Sequence, residues 1–448
     1  MRFVRKKREP EIGKHVAAVF TIFLLLFLFG VQSREGKEAT PFIHGDLDVL
    51  LSREDPLYIV VTGEARFPVE RTWRFGRYTV AKVKPDRMAK TLVQQLLHSK
   101  QVLSIYPEMT FVHPDVQTVE YRLVGFDVKT AVHNPSGQWC GRGVTVAIID
   151  TGVDYLHPDL VHSISVLVST VVLTRDGRPL TWIVGVNGSL NAAWAFEQML
   201  KQQLGAYAWM DDDGHGTHVS GIIASRSAEY PGLSPCVQLI MVKAFLRGAA
   251  SMDTIMDALQ WVYDNVERFG IRVLSISWGA AIPSDGRDPL SIACDAIADK
   301  GVLVFAAAGN EGNVPNTILA PAAARKVYAV GAWDGYIGKI APFSSLGPTV
   351  DGRMKPDIYA AGVLVVSTKS RYASLGIAVG DKYAALSGTS MAAPAAAACA
   401  ANFIEMFKSW NKRLPSRADW EAYLITNSMR LNPFFKDFIT GWGLVRCP

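Results

Sequence analysis

Val146-Ala147-Ile148-Ile149-Asp150-Thr151-Gly152-Val153-Asp154 opens as an unbroken apolar run and closes on a carboxylate and a glycine. Apolar–polar alternation would mark a strand with one wet face. An uninterrupted run of this length marks a strand covered on both faces, as in parallel sheets between helical layers. Reactive groups in open α/β sheets gather beyond the strands' C-terminal ends, so Asp150 is delivered to the edge where chemistry is expected. Working outward, short apolar strands recur at residues 239–244, 273–276, 303–307 and 328–330, and residues 251–269 and 288–300 carry helical periodicity. That alternation predicts an α/β fold with a mostly parallel sheet. The Asp176-Gly177 pair, before Trp182-Ile183-Val184, has the turn chemistry of a hairpin.

Two further stretches place a reactive side chain at a helix start. Asp213-Gly214-His215-Gly216-Thr217-His218-Val219-Ser220-Gly221 is a tight glycine-bearing turn into a helix. In Leu386-Ser387-Gly388-Thr389-Ser390-Met391-Ala392-Ala393-Pro394, Ser390 opens a helix of small residues that can be buried deeply. The positive end of that helix favours negative charge developing during acyl transfer. A hydroxyl is a poor nucleophile at neutral pH; it needs an adjacent base, and the base needs an orienting partner. Ser390, His215 and Asp150 supply those roles. Ala306-Ala307-Ala308-Gly309-Asn310-Glu311-Gly312 adds the Asn310 amide as a donor to an oxyanion, beside the Ser390 backbone N–H.

In this order the segments resemble the subtilase family of serine proteases, whose triad runs Asp, His, Ser along the chain. The resemblance covers residues 137–448 and implies a subtilisin-like three-layer fold. It implies a serine endopeptidase working through an acyl-enzyme, with Asp150, His215 and Ser390 as triad, Asn310 in the oxyanion hole and His218 structural. Substrate would bind along Ser277-Trp278-Gly279 and Ala307-Ala308-Gly309, with Leu319 at the floor of the side-chain pocket. Phe343-Ser344-Ser345-Leu346-Gly347-Pro348 and Lys355-Pro356-Asp357 are also similar to family segments. Ala360-Ala361-Gly362 stands where the family usually has Ala-Pro-Gly, and the long Asp150–His215 spacing reads as an insertion at residues 163–207. Residues 225–235 lack the Asn-rich loop that binds calcium in many relatives. No cofactor or metal is required for the chemistry, and a structural calcium would lack its usual loop.

Rival readings are weaker. An aspartic protease needs two carboxylates sharing a proton, and Asp150-Thr151-Gly152 has no second copy. The His215–His218 spacing suits zinc, but no glutamate base lies between them. A catalytically dead relative serving as a binding module would ordinarily have lost a triad or oxyanion residue.

Ahead of the catalytic part, residues 57–113 carry strand patterns at 58–61, within 73–83, at 102–106 and at 111–112. A helix capped by Asp86 is expected over 86–98. The unit is similar to the family's inhibitory propeptide, implying a small ferredoxin-like α/β domain that acts as an intramolecular inhibitor. Residues 34–56 read as a linker and 114–136 as a connecting segment that holds the processing site. At the N-terminus, Arg2, Arg5, Lys6, Lys7, Arg8 and Lys14 outnumber Glu9 and Glu11, accounting for most of the formal net charge of +5. They precede an uncharged apolar run at 16–29. Residues 1–33 therefore read either as a signal peptide cut after Ser33 or as an anchor tethering the protein to a membrane through 16–31. Both put the catalytic part outside the cytoplasm. Nucleic acid is disfavoured because the remainder is nearly neutral; the expected partners are polypeptide substrates and the protein's own propeptide, and the expected state is a monomer.

The five cysteines lack C-x-x-C spacing, and their odd number leaves at least one thiol unpaired within the chain. Cys294 and Cys399 lie in apolar helical contexts and read as small buried residues. Asp211-Asp212-Asp213 reads as a solvated acidic turn, and Asn187-Gly188-Ser189 is a glycosylation sequon.

Overall fold

A computed structural model describes residues 55–84, 101–112 and 138–448, apart from residues 66, 281 and 283, together with a few single positions between 42 and 97. The segments expected at 1–33 and 114–136, nearly all of the 34–56 linker and most of the 86–98 helix lie outside the described residues.

The N-terminal sheet contains β1 (Phe42–Ile43), β2 (Leu57–Thr62), β3 (Arg71–Phe75), β4 (Tyr78–Val83) and β5 (Val102–Pro107), in spatial order β1-β5-β2-β4-β3. β2 runs antiparallel to both β4 and β5. A sixth strand, β6 (Thr110–Val112), leaves this sheet and pairs elsewhere.

The main sheet is built around β7 (Thr145–Asp150), every residue of which is buried. Alternate side chains of β7 enter opposite cores. Val146 and Ile148 pack in one cluster, Ala147 and Ile149 in the other. β8 (Ile164–Leu173) and β9 (Pro179–Ile183) form an antiparallel pair, and α1 (Leu190–Leu204) follows. α2 (His215–Ala224), β10 (Gln238–Lys243), β11 (Ala249–Ser251), α3 (Met252–Phe269), β12 (Ile271–Ile276), α4 (Pro289–Asp299), β13 (Leu303–Ala307), β14 (Val327–Asp334), β15 (Lys339–Ile340) and β16 (Ile358–Ala361) come next. The chain ends with β17 (Val365–Thr368), β18 (Ile377–Val379), β19 (Tyr383–Leu386), α5 (Thr389–Asn411) and α6 (Arg417–Asn427).

The main strands stand in the order β15-β14-β13-β12-β7-β10-β8-β9, with β16 paired to β14; β9 and β15 are the antiparallel members. Residues of α2 and α5 fill the cluster on one face, and those of α3 and α4 the cluster on the other. This is the expected three-layer α/β architecture. The N-terminal sheet adds Tyr58, Trp73, Phe75 and Tyr106 to the α3/α4 side.

Helix boundaries follow local chemistry. Ser251 caps α3 by accepting from Thr254 N, and Gly270 ends it at φ 61°, in the left-handed region. Asp288 caps α4, and Pro289 fills the first helical position, where no N–H is needed.

One sequence expectation is corrected. Cys399 is bridged to Cys447, and Cys140 to Cys236, while Cys294 is the free, buried thiol. The C-terminal segment returns beside β16, with Val445 N donating to Tyr359 O, and so carries Cys447 to α5. Within the 163–207 segment, read as an insertion from its length, β8 is a parallel member of the main sheet beside β10. Only β9 and α1 stand outside the parallel run. Among the described residues, no helix is long and apolar enough to cross a membrane.

Candidate active site

Asp150, Ser277 and Asn310 reach one edge of the sheet because β7, β12 and β13 are adjacent and in register, with Ile149 opposite Ile276 and Ile276 opposite Ala306. Asp150 ends β7. Its Oδ1 accepts from Thr151 N and lies 2.8 Å from His215 Nδ1, and both side chains are almost wholly buried. His215 begins α2, which can come this close to β7 only because Gly216 has no side chain. A Cβ there would fall 2.1 Å from Gly152 O and 3.1 Å from Asp150 Oδ1.

Ser390 occupies the first turn of α5. Its Oγ donates to Ser277 O at 2.8 Å, and Ser277 Oγ donates to Ser390 O at 2.9 Å, so strand end and helix start are laced together. Asn310 follows β13. Its Oδ1 accepts from both Thr389 N and Thr389 Oγ1 at 2.9 Å. With the carbonyl oxygen so engaged, Nδ2 is turned toward the Gly388 backbone beside Ser390.

His218, one helical turn beyond His215, is buried with Nε2 3.0 Å from both Val365 O and Ala384 O. Burial drives its pKa down to about 3, so it is neutral at ordinary pH and bridges the backbones of β17 and β19.

Trp278 is buried, its indole N–H donating to Ile149 O at 2.8 Å. Leu319 N donates to Ala308 O, and the Leu319 side chain lies between two glycines. A Cβ on Gly279 would meet Leu319 Cδ1 at 2.9 Å, and one on Gly309 would meet Leu319 Cγ at 2.7 Å. Leu319 thus fills the space between the 277–279 and 307–309 segments. Strand β6 pairs antiparallel with β11, and its Phe111 ring meets Trp278 edge-on at 5.8 Å.

The acidic turn is a correction. Asp211 is completely buried, not solvated. Its Oδ1 accepts from Thr151 Oγ1, Asp213 N and Gly214 N; its Oδ2 accepts from Thr217 N and Thr217 Oγ1. Burial pushes this carboxyl's pKa up, while Lys243 and the donors pull it down. Lys243 is itself buried and donates to Thr151 O, Met210 O and Asp212 Oδ1. The loops carrying Asp150 and His215 are therefore joined through a polar network that sequence reading missed. Its one visible signal was the Asp run beside His215.

The assembly is a three-layer α/β protein with an Asp–His pair and a serine-headed helix at one sheet edge. A model of the subtilase family matches residues 141–443, and the chain belongs to that family. Serine protease AprX of Bacillus subtilis (strain 168) is 35% identical over 288 residues, 59% of this chain and 58% of its own length. A thermophilic serine proteinase of Bacillus sp. (strain AK1) is 33% identical over 263 residues, covering 58% of this chain and 51% of its own. Subtilisin Savinase of Lederbergia lenta is 34% identical over 274 residues, 60% of this chain and 80% of its own. The matched region thus spans little more than half the length of the first two relatives.

Proposed function

We propose that the protein is a serine endopeptidase that hydrolyses peptide bonds through an acyl-enzyme and is made as a self-processed proenzyme. The observation that carries this is the 2.8 Å Asp150–His215 pair at the sheet edge where Ser390 heads α5. Asp150 accepts from His215 Nδ1–H and so leaves Nε2 to take the Ser390 proton. Ser390 Oγ gives up its bond to Ser277 O, attacks the scissile carbonyl and forms a tetrahedral oxyanion. Asn310 Nδ2 and the Ser390 N–H donate to that oxygen. His215 then protonates the leaving amine, the C–N bond breaks, and water repeats the sequence on the ester. His215 carries each proton between Ser390, the leaving amine and water, so the reaction calls for no metal or cofactor.

The N-terminal sheet is proposed as the inhibitor of this site. Support comes from β6 adding an antiparallel strand to β11 and setting Phe111 against Trp278 of the proposed substrate-binding segment. Self-cleavage would then fall within residues 112–141. The preferred residue before the scissile bond is small to medium and apolar, since Leu319 fills the pocket between Gly279 and Gly309. We place the catalytic part outside the cytoplasm, secreted or held by residues 16–31; mass spectrometry of the mature N-terminus separates the two.

Ser390→Ala tests the whole reading. The variant should lose about 10⁶-fold in kcat, as loss of the nucleophile does in a subtilisin, and should accumulate as uncut precursor in a protease-free host. Wild-type casein cleavage or normal processing by that variant would sink the proposal.

A further inference from the structure

We propose that Glu197, carried by α1, is a positioning residue for the triad, gripping with one carboxylate the loop that follows Asp150 and the loop that precedes His215. The proposal rests on the protease reading above. Leu190, Ala193 and Glu197 form the buried stripe of α1. A carboxylate thus stands where helix docking alone would favour an apolar side chain. Burying an ionisable group costs several kcal/mol unless hydrogen bonds satisfy it, and substituting an apolar residue would avoid that cost.

Glu197 is fully satisfied, and by residues from the two loops. Its Oε2 accepts from Tyr155 Oη at 2.5 Å; its Oε1 accepts from Met210 N at 2.9 Å and from Trp209 N. Tyr155 lies five residues beyond Asp150, and Met210 five before His215. Glu197, Tyr155, Trp209 and Met210 are all 0% exposed. The same peptides reach the network around the pair. Val153 N donates to Trp209 O, and Lys243 Nζ donates to Met210 O and Thr151 O. Burial pushes the Glu197 pKa up, and the donors aimed at it oppose that shift.

Glu197 touches neither Asp150 nor His215, so its effect is on where they stand. A displacement of about 1 Å in a catalytic group costs roughly 10²-fold in rate. Glu197→Ala releases both loops; Glu197→Gln keeps an acceptor for the peptide N–H groups and an amide for Tyr155. Kinetics are measured on the processed enzyme with active sites titrated by an organophosphate, each variant well below its own melting temperature. The expected result is a 10- to 100-fold lower kcat for Glu197→Ala with KM within about twofold. Glu197→Gln should recover to within about fivefold of wild type. A kcat per titrated site unchanged in Glu197→Ala, or equal losses in the Ala and Gln variants, would overturn the proposal. If Glu197→Ala does not fold, Tyr155→Phe, which removes one of the bonds, decides: lower kcat at unchanged KM supports it, unchanged kcat overturns it. The two readings fail separately: an inactive wild type sinks the protease, whereas an active wild type with an unimpaired Glu197→Ala sinks only the role of Glu197.

Discussion

Leu319 is proposed to set specificity by taking up space. Its Cγ and Cδ1 press against Gly279 and Gly309, the residues whose missing side chains would otherwise leave room between the proposed substrate-binding segments. The atoms nearest the two glycines belong to Leu319, Ala320 and Ser345, none of them charged, so an acidic or basic substrate residue is expected to gain no partner there. Leu319→Gly should open the volume a phenyl ring needs. One or two methylenes in such a pocket are worth about 1–3 kcal/mol, so the Phe/Leu preference in kcat/KM should rise about 10-fold or more on a peptide library. Equal Phe/Leu ratios in wild type and variant would refute the pocket assignment. Asn310 is proposed to act by a bond and not by bulk. With its Oδ1 tied to Thr389, Asn310→Ala should lower kcat about 10²–10³-fold while KM changes little; a kcat within threefold of wild type would remove Asn310 from the oxyanion hole. The gathering of Asp150, His215, Asn310 and Ser390 at one sheet edge was legible in the sequence because each candidate sits in a short motif rich in glycine and small residues. Asp211 and Glu197 were not, since a carboxylate's burial depends on which donors the rest of the chain brings to it.

Among the elements, β6 is unusual in leaving its own sheet to pair with β11 across Thr110–Ser251, Phe111–Ala250 and Val112–Ala249. Phe111 is 1% exposed and packs with Trp278. If this strand blocks the cleft, much of the grip is that one ring, because a buried aromatic anchor at an interface is commonly worth 2 kcal/mol or more. Phe111→Ala in the precursor should therefore shorten the lag before activity appears by about 30-fold, followed with a chromogenic peptide after purification. An unchanged lag would mean that β6 does not limit release. The N-terminal sheet is held elsewhere by polar contacts to α3: Lys82 and Tyr58 to Asp253, and Arg71 and Trp73 to Asp257. Strands β7, β10, β12, β13 and β14 were readable from apolar runs, since burial on two faces leaves an unbroken pattern, whereas β15 and β16 were not. Membership of β8 in the main sheet was not, because the 163–207 segment was judged by length, and length says nothing about which edge a strand joins. The Cys399–Cys447 bridge escaped for a related reason: the path of the C-terminal segment back to α5 is a tertiary fact.

Taken as a whole, the molecule keeps its catalytic edge dry, and that makes the fold sensitive to acid. α2 is buried along its entire length, and His218 within it meets two carbonyl oxygens through Nε2. Nδ1 has no hydrogen-bond partner. Protonation would place a positive charge and an unsatisfied N–H in the core between α2, β17 and β19. The pKa falls from 6.5 to about 3 on folding, because burial disfavours the charged ring. The unfolded chain thus binds a proton more readily than the folded one between those values. Stability is complete above about pH 6.5, falls as pH drops through that window, and stops falling from this source near pH 3. One proton sets an upper slope of about 1.4 kcal/mol per pH unit, so between pH 6.5 and 4.5 the loss from His218 approaches about 2.5 kcal/mol. His218→Gln, whose amide donates to the same carbonyls without titrating, should flatten that part of the curve. Ser390→Ala is the background to use, so that self-digestion does not distort the transition. Urea midpoints at pH 6.5, 5.5 and 4.5 should then fall less steeply in the double variant than in Ser390→Ala alone. Parallel pH dependences in the two proteins would show that His218 is not the group that charges on unfolding.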